Sequence, residues 1–382
     1  MKKKIFTSIG LMSGTSMDGV DLSVIKSDGN YEFTSIFDDY SQFDDMLKKK
    51  LIKLRKKINS LDDLKTFSKE LSILEREITL FHGKLISKIS KKLNKNIDLI
   101  GFHGQTIFHN SQQKISKQLG DGKLLSQLTK KIVINNFREN DIKNGGEGAP
   151  LTPIFHKLIS RKISLKNQIK FPINIINIGG ISNITSIIQD QDNLNDNIFA
   201  GDIGPGNCMI DEWIRKNSKK SFDIDGNIAS SGNINKLIIN QAIDNFSIYS
   251  YKKSLDINDF DISFLRGLSL EDGSATLTDF TAYLISKGIE YTAEKIKNTN
   301  GTFIICGGGR KNNFLIQSLS KYLIEKKIKL KNIDEFGFDG DFIESQAFGY
   351  LAVRSFLGLP ITFPETTGCK TPTLGGVLNK NF

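Results

Sequence analysis

The sequence predicts an α/β protein built of two related halves, and three observations carry that expectation. A strand, a glycine-rich turn and a second strand run from Ile9 to Ile25, and the same plan returns at residues 174 to 188 around Gly179-Gly180. The flanking runs are apolar or alternate apolar with polar residues, the patterns of buried and half-buried strands. The chain has 382 residues, more than one hydrophobic core usually serves, so two domains are expected.

In the first hairpin Ile5 to Met12 is an apolar run, and Val20, Leu22 and Val24 alternate with Asp21 and Ser23. Between the strands the turn reads Gly14, Thr15, Ser16, Met17, Asp18, Gly19, Val20, Asp21. Gly14 and Gly19 permit backbone angles that other residues resist, and Ser13, Thr15 and Ser16 add hydroxyls to whatever N–H groups converge there. Phosphate fits such a concavity. The turn lacks the lysine and following helix of a Walker P-loop, and its charges are the carboxylates of Asp18 and Asp21, which repel phosphate unless a cation lies between. It therefore reads as a Mg²⁺-nucleotide loop in which backbone groups hold phosphate oxygens and Asp18 holds the metal, directly or through water. An ordinary Gly/Ser hairpin turn is the other reading of this stretch taken alone. Gly179-Gly180, followed by Ser182 and Asn183, repeats the device in the second half.

Two such hairpins, one opening each half, resemble the actin, hexokinase and Hsp70 superfamily. That resemblance implies a duplicated actin-like (ribonuclease H-like) two-domain fold with ATP in an interdomain cleft. The string Gly10-Leu11-Met12-Ser13-Gly14-Thr15-Ser16-Met17-Asp18-Gly19-Val20-Asp21 is similar to the opening signature of the anhydro-N-acetylmuramic acid kinase family. Further family-like motifs follow in one order as far as Gly376, so the similarity spans almost the whole chain.

From Ser60, an N-cap followed by Asp62 and Asp63, the positions Leu64, Phe67, Leu71, Leu74, Ile78, Phe81 and Leu85 predict one long amphipathic helix. A buried strand from Ile97 to Phe102 follows, and then a turn containing His103, Gln105, Thr106 and His109. A histidine metal pair is one reading of it, disfavoured by Gly104 and the lack of a third ligand; a polar loop at a strand end is another. The resemblance implies that His103, Gln105 and Thr106 face a sugar. After a strand at Lys131 to Ile134, residues 136 to 150 form a glycine-rich loop where composition shifts, which places the domains at 1–145 and 146–359, with the tail from about 360 to 382 packing back on the first. Phe137-Arg138, Asp141 and Gly145 to Pro150 match a family motif on the sugar side. The planar donors of Arg138 suit the carboxylate of a lactyl group; a surface or interdomain salt bridge is the alternative.

In the second half a strand from Phe199 ends in a turn with Gly204 that launches a helix, so its N–H groups are expected to face the cleft with a positive dipole behind them. Asp202, placed at the strand tip, suits general-base or metal work, or caps the helix. The strand Thr302 to Cys306, then Gly307-Gly308-Gly309, then a helix from Asn312 resemble the superfamily's adenosine pocket. Glu344 heads the family-like string Glu344-Ser345-Gln346-Ala347-Phe348, which implies a place in the sugar pocket; from the residues alone it equally complements a helix dipole.

The formal charge of +10 is spread along the chain, with no run longer than three lysines, so it marks no nucleic-acid partner. Cys208, Cys306 and Cys369 are few, odd in number and far apart, which fits a reducing compartment and excludes a CxxC knuckle. The basic start imitates a signal peptide, but Thr7, Ser8 and Gly10 break its apolar region, and no run approaches the ~18 apolar residues of a membrane span.

The family resemblance implies a cytoplasmic homodimer that uses ATP and Mg²⁺ to open 1,6-anhydro-N-acetylmuramic acid with water and phosphorylate O6, with Asp202 activating the water. Another sugar or acid kinase of the superfamily would share the ATP cradles and differ at Arg138 and Glu344. A non-kinase ATPase of the actin or Hsp70 type would need a partner-binding region for which little length remains.

Overall fold

The structure is a computed structural model that describes residues 4–14, 16–191, 197–245, 255, 257–297 and 301–382. In chain order it opens with β1 (Phe6–Ser13), β2 (Gly19–Ser27), β3 (Phe33–Gln42), α1 (Asp45–Lys57), α2 (Leu61–Thr66) and α3 (Ser68–Leu93). Then come β4 (Leu99–Asn110), β5 (Ile115–Leu119), α4 (Gly122–Thr129), β6 (Ile132–Asn135), α5 (Glu139–Lys143) and α6 (Pro153–Asn167). The next segment holds β7 (Ile173–Ile178), β8 (Ile181–Ile187), β9 (Ile198–Pro205), α7 (Cys208–Asn217), α8 (Asn227–Ser230), α9 (Lys236–Asn245) and α10 (Leu270–Lys295). The chain closes with β10 (Thr302–Cys306), α11 (Asn313–Leu323), β11 (Leu330–Asn332), α12 (Ile343–Phe356), α13 (Pro364–Thr367) and β12 (Val377–Asn379).

These elements form two compact units, Met1–Leu158 with Phe342–Phe382, and Ile159–Asp341. In the first the strand order is β12-β6-β4-β1-β2-β3, with β5 on β4. β1, β2 and β3 are antiparallel neighbours, whereas β4 runs parallel to β1 and β6 parallel to β4. In the second the order is β11-β10-β7-β8-β9, with β7, β8 and β9 antiparallel, β10 parallel to β7 and β11 parallel to β10. Set aside β5 and β12, and both sheets have one order and one set of directions. This is the ribonuclease H-like sheet used twice, the duplicated actin-like α/β fold. The central strands carry the apolar runs because neighbours cover them on both sides: all six residues of β7 are buried, as are seven of the eight in β1.

Several elements depart from the sequence reading. The helix expected from Ser60 is two helices, α2 capped by Ser60 and α3, which part at Phe67 where the backbone leaves helical values. His103 to His109 is not a turn after a strand but part of β4, which continues to Asn110 because β5 pairs with its second half. Gly104, at φ +76°, absorbs the register skip against β1 that falls between Phe102 and Gln105. The first unit takes in residues 146–158 and 342–359 as well as the tail. Steric contact explains the second of these: a Cβ on Gly10 would lie 1.9 Å from Ser345 O, and one on Gly101 2.1 Å from Phe348 O, so the backbone of α12 rests directly on β1 and β4. The tail reaches the same sheet, β12 pairing antiparallel with β6. Among the described residues no helix is long and apolar enough to cross a membrane.

The Gly101→Ala variant is expected to lose about 3 kcal/mol or more of stability, since backbone rather than a yielding side chain fills the space of the new methyl. Gly308→Ala, whose Cβ would meet nothing within 4 Å, should change it by less than about 0.5 kcal/mol. Urea denaturation of the two variants measures the contrast.

Candidate active site

The turn between β1 and β2 is held by its own polar groups. Met17 N donates to Gly14 O at 3.2 Å, and Met17, at φ +54°, is driven there by burial of its side chain in the core of the first unit. Ser16 Oγ donates to Asp18 Oδ1 at 2.7 Å, and the Asp18 carbonyl accepts from Phe43 N at 2.9 Å. Gly19 is needed for space, since a Cβ there would lie 2.6 Å from Ser41 O and from the Tyr40 ring. Gly14 meets no such limit: a Cβ would find only Ser16 Oγ at 3.8 Å. Val20 is fully buried and pairs with Ser41 in β3, and Thr15 lies outside the described residues. Ser13 does not turn its hydroxyl into the loop; Oγ stands 2.6 Å from Gln105 Oε1 and 2.9 Å from Gly19 O. Burial, then the charges of Asp18 and Asp21, push the Tyr40 phenol up to about 12, so the turn concentrates negative charge at one place. Among the described residues no three His, Cys, Asp or Glu side chains gather into a metal cage. The carboxylates of this turn are those of Asp18 and Asp21, oxygen donors of the kind hard cations take.

A second cluster in the first unit gathers β4, the start of α5 and the start of α12. His103 is buried, with Nδ1 2.8 Å from Gly104 O, so that nitrogen carries the proton and Nε2 is an acceptor. Arg138 uses it, placing Nη2 at 3.0 Å and Nε at 3.3 Å, and gives Nη1 to Gly148 O at 2.7 Å. Burial, then the Arg138 charge, hold His103 well below the usual imidazole range, so it stays neutral. Glu344 stands in the first turn of α12 within electrostatic reach of Arg138; burial raises its carboxyl and Arg138 opposes the rise. Phe348, one turn on, packs on His103 with centroids 4.6 Å apart. Asp141 pins the glycine loop by accepting from Gly148 N at 2.8 Å and Thr367 Oγ1 at 2.6 Å. A cavity of about 420 Å³ opens beside His103, lined by Lys114, Ser116, Gln118, Asn135 and Asn136 among others. Gln105 does not face it: its amide bonds Ser13 and Gly14 O, and Thr106 accepts at Oγ1 from Gln118 Nε2 at 3.3 Å.

In the second unit Gly179 and Gly180 form a two-residue turn whose carbonyls are occupied. Gly206 N and Cys208 N donate to Gly180 O, and Asn207 N to Gly179 O at 2.7 Å. The N–H groups ahead of α7 therefore close on the hairpin rather than facing outward. Gly204, at φ +136°, is buried against Leu284 of α10. Asp202 is not at a strand tip but inside β9, opposite Asn183 of β8, and Oδ2 accepts from Leu255 N at 2.7 Å. After β10, Gly307 at φ +79° and Gly309 lie against Ile178, where any Cβ would clash, while Gly308 is open.

Arg310, unread in the sequence, locks this glycine turn. Its guanidinium is bidentate to Asp334 at 3.0 and 3.1 Å, reaches Asp341 at 2.5 Å and donates to Gly307 O at 3.1 Å. Burial alone would pull its pKa down, and the bonds to Asp334 and Asp341 overcome that and raise it. The recurrence of Asp334, Asp339 and Asp341 within eight residues was the signal for a buried cation partner.

Two ribonuclease H-like sheets, each opened by a hairpin with a glycine turn, place the chain in the actin-like class of two-domain proteins. The family model described as anhydro-N-acetylmuramic acid kinase matches residues 6–380. The anhydro-N-acetylmuramic acid kinase of Pelagibacter ubique is 52% identical over 382 residues, all of both chains. That of Agrobacterium fabrum is 36% identical over 379 residues, covering 98% of this chain and 99% of its own. A solved structure, the activator of the 2-hydroxyisocaproyl-CoA dehydratase from Clostridium difficile with bound ADPNP, aligns with a TM-score of 0.42 and 10% identity over 92% of this chain and 96% of its own. The chain belongs to the anhydro-N-acetylmuramic acid kinase family.

All four histidines of the chain lie in the first unit, and burial lowers each: His82 and His109 to about 4, His156 to about 3, and His103 well below 6.5. Below pH 6.5 the unfolded chain therefore binds more protons than the folded one, and stability falls as pH drops toward the folded values. Each histidine adds up to about 1.4 kcal/mol per pH unit in that window. Hydrogen exchange between pH 7 and 4.5 should show this loss in the first unit, with a shallower slope in His156→Leu; a flat profile would contradict it.

Proposed function

We propose that this chain is an ATP- and Mg²⁺-dependent kinase that opens 1,6-anhydro-N-acetylmuramic acid with water and phosphorylates O6, giving N-acetylmuramic acid 6-phosphate. The observation that carries the reading is the end-to-end likeness to kinases of that name, 52% identical in the Pelagibacter ubique protein. The turn from Gly14 to Asp21, with Thr15 and Ser16, holds ATP phosphates through backbone groups, as does Gly179-Gly180, and Gly307 to Gly309 receives the adenosine. Asp18 would hold Mg²⁺, which when bound neutralises phosphate charge. Arg138, steadied by neutral His103, presents a cation to the lactyl carboxylate, and Glu344, whose carboxyl burial raises, bonds sugar hydroxyls.

Asp202 is the base. The bond from Leu255 N holds one of its oxygens and so fixes the direction of the other. Asp202 takes a proton from water as the water oxygen bonds to C1. The C1–O6 bond breaks, its electron pair stays on O6, and O6 attacks the γ-phosphorus while the bond to ADP breaks. Bond making at both centres requires that the groups be positioned beforehand, which is what backbone cradles and a held carboxylate supply. The same reading makes the protein a cytoplasmic homodimer in peptidoglycan recycling.

Incubation with ATP, Mg²⁺ and a panel of anhydro- and free amino sugars, read by mass, tests it: the anhydromuramic sugar should gain both water and phosphate. Phosphorylation of free sugars alone would point to an ordinary hexosamine kinase. Asp202→Asn should lower the rate on the order of 10²–10⁴-fold with ATP affinity retained in calorimetry.

A further inference from the structure

Gln105 sits in β4 with its side chain fully buried. Its Oε1 lies 2.6 Å from Ser13 Oγ, and its Nε2 donates to Gly14 O at 3.0 Å and to Thr106 O at 3.3 Å. The reverse amide orientation would set an oxygen against two carbonyls, so the pattern of partners fixes which end is which. The register skip between β1 and β4 brings Gln105 level with Ser13. One amide thus grips the last residue of β1 and the first residue of the turn. Packing does not hold Gly14, where even a Cβ would meet only Ser16 Oγ at 3.8 Å, so hydrogen bonding must. Ser13 Oγ stands as donor 2.6 Å from Gln105 Oε1 and 2.9 Å from Gly19 O, so the one hydroxyl links the amide to the far end of the turn as well.

We infer that Gln105 is a positioning residue for the nucleotide rather than a sugar ligand: it fixes the Gly14 carbonyl and so holds the entry to the phosphate turn in place. The inference rests on the reading of this turn as the ATP loop. Removing the amide leaves Gly14 O with only the longer bond from Met17 N at 3.2 Å and unties the turn from β4, while the His103–Arg138 pair and Glu344 keep their partners.

The test compares the full-length parent with Gln105→Met, Ser13→Ala and Gly14→Val in two measurements: calorimetric affinity for a non-hydrolysable ATP analogue with Mg²⁺, and separate KM values for ATP and the anhydro sugar. Gln105→Met is expected to weaken ATP affinity and raise the ATP KM roughly tenfold, with the sugar KM within about twofold of the parent. A simple loss of folded protein would lower the apparent kcat and leave both KM values where they are. Ser13→Ala deletes one atom from the other end of the clamp, keeps the fold if Gln105→Met does not, and should shift the ATP values in the same direction. Gly14→Val adds bulk where the structure has room, so it blocks the ligand and not folding. If Gly14→Val leaves ATP affinity unchanged, the nucleotide reading of the turn falls. If Gly14→Val weakens ATP while Gln105→Met and Ser13→Ala do not, or if Gln105→Met raises only the sugar KM, the positioning role is overturned and the turn reading stands.

Discussion

The first unit depends on how closely α12 approaches its sheet. With glycine at positions 10 and 101, the helix backbone comes within contact distance of β1 and β4, and no side chain separates them. Polar pairs then fix its rotation: Ser345 Oγ lies 2.6 Å from Ser23 Oγ, and Gln346 Nε2 donates to Asp38 at 3.2 Å. Once the helix is set, Glu344 and Phe348 have only one place to go. Phe348 covers His103 and Phe137, which dries the imidazole, keeps it neutral and leaves Nε2 able to accept from Arg138. A protonated His103 would repel that guanidinium, so the dryness around Phe348 keeps Nε and Nη2 of Arg138 on the imidazole while Gly148 O holds Nη1.

The three glycine turns are braced differently. The first is anchored by a buried amide and by the core burial of Met17, the second by backbone donors ahead of α7 that occupy its carbonyls. The third, after β10, is anchored by Arg310, whose three aspartates make it a fixed structural cation rather than a mobile one. A buried ion pair of this kind earns little net stability and much geometric definition: losing one partner leaves an uncompensated charge.

What was legible in the sequence was local. Both hairpins, the strand at Thr302 and the capped helix after Asn312 follow from a few adjacent residues, and they stand where the pattern put them. What was not legible depends on partners far along the chain. β4 runs on through Gly104 because β5 pairs with it, and α12 joins the first unit because glycines more than two hundred residues earlier make room for it. The same distinction divides the site. Arg138 and Glu344 drew notice by residue type, but the assignment of Gln105 turned on Ser13 and Gly14, ninety residues away, which no spacing rule connects. Asp202 read as a strand tip because Gly204-Pro205-Gly206 looks like a turn, yet pairing with β8 carries the strand through Pro205.

The central claim is that Asp202 directs water to the sugar and not to the nucleotide. A short reaction in ¹⁸O-labelled water, with the product analysed by mass before the anomeric oxygen exchanges, tests it most directly. The label is expected on C1 of the sugar and absent from the phosphate. Label in the phosphate would mean that water attacks ATP, and the account of Asp202 would be wrong.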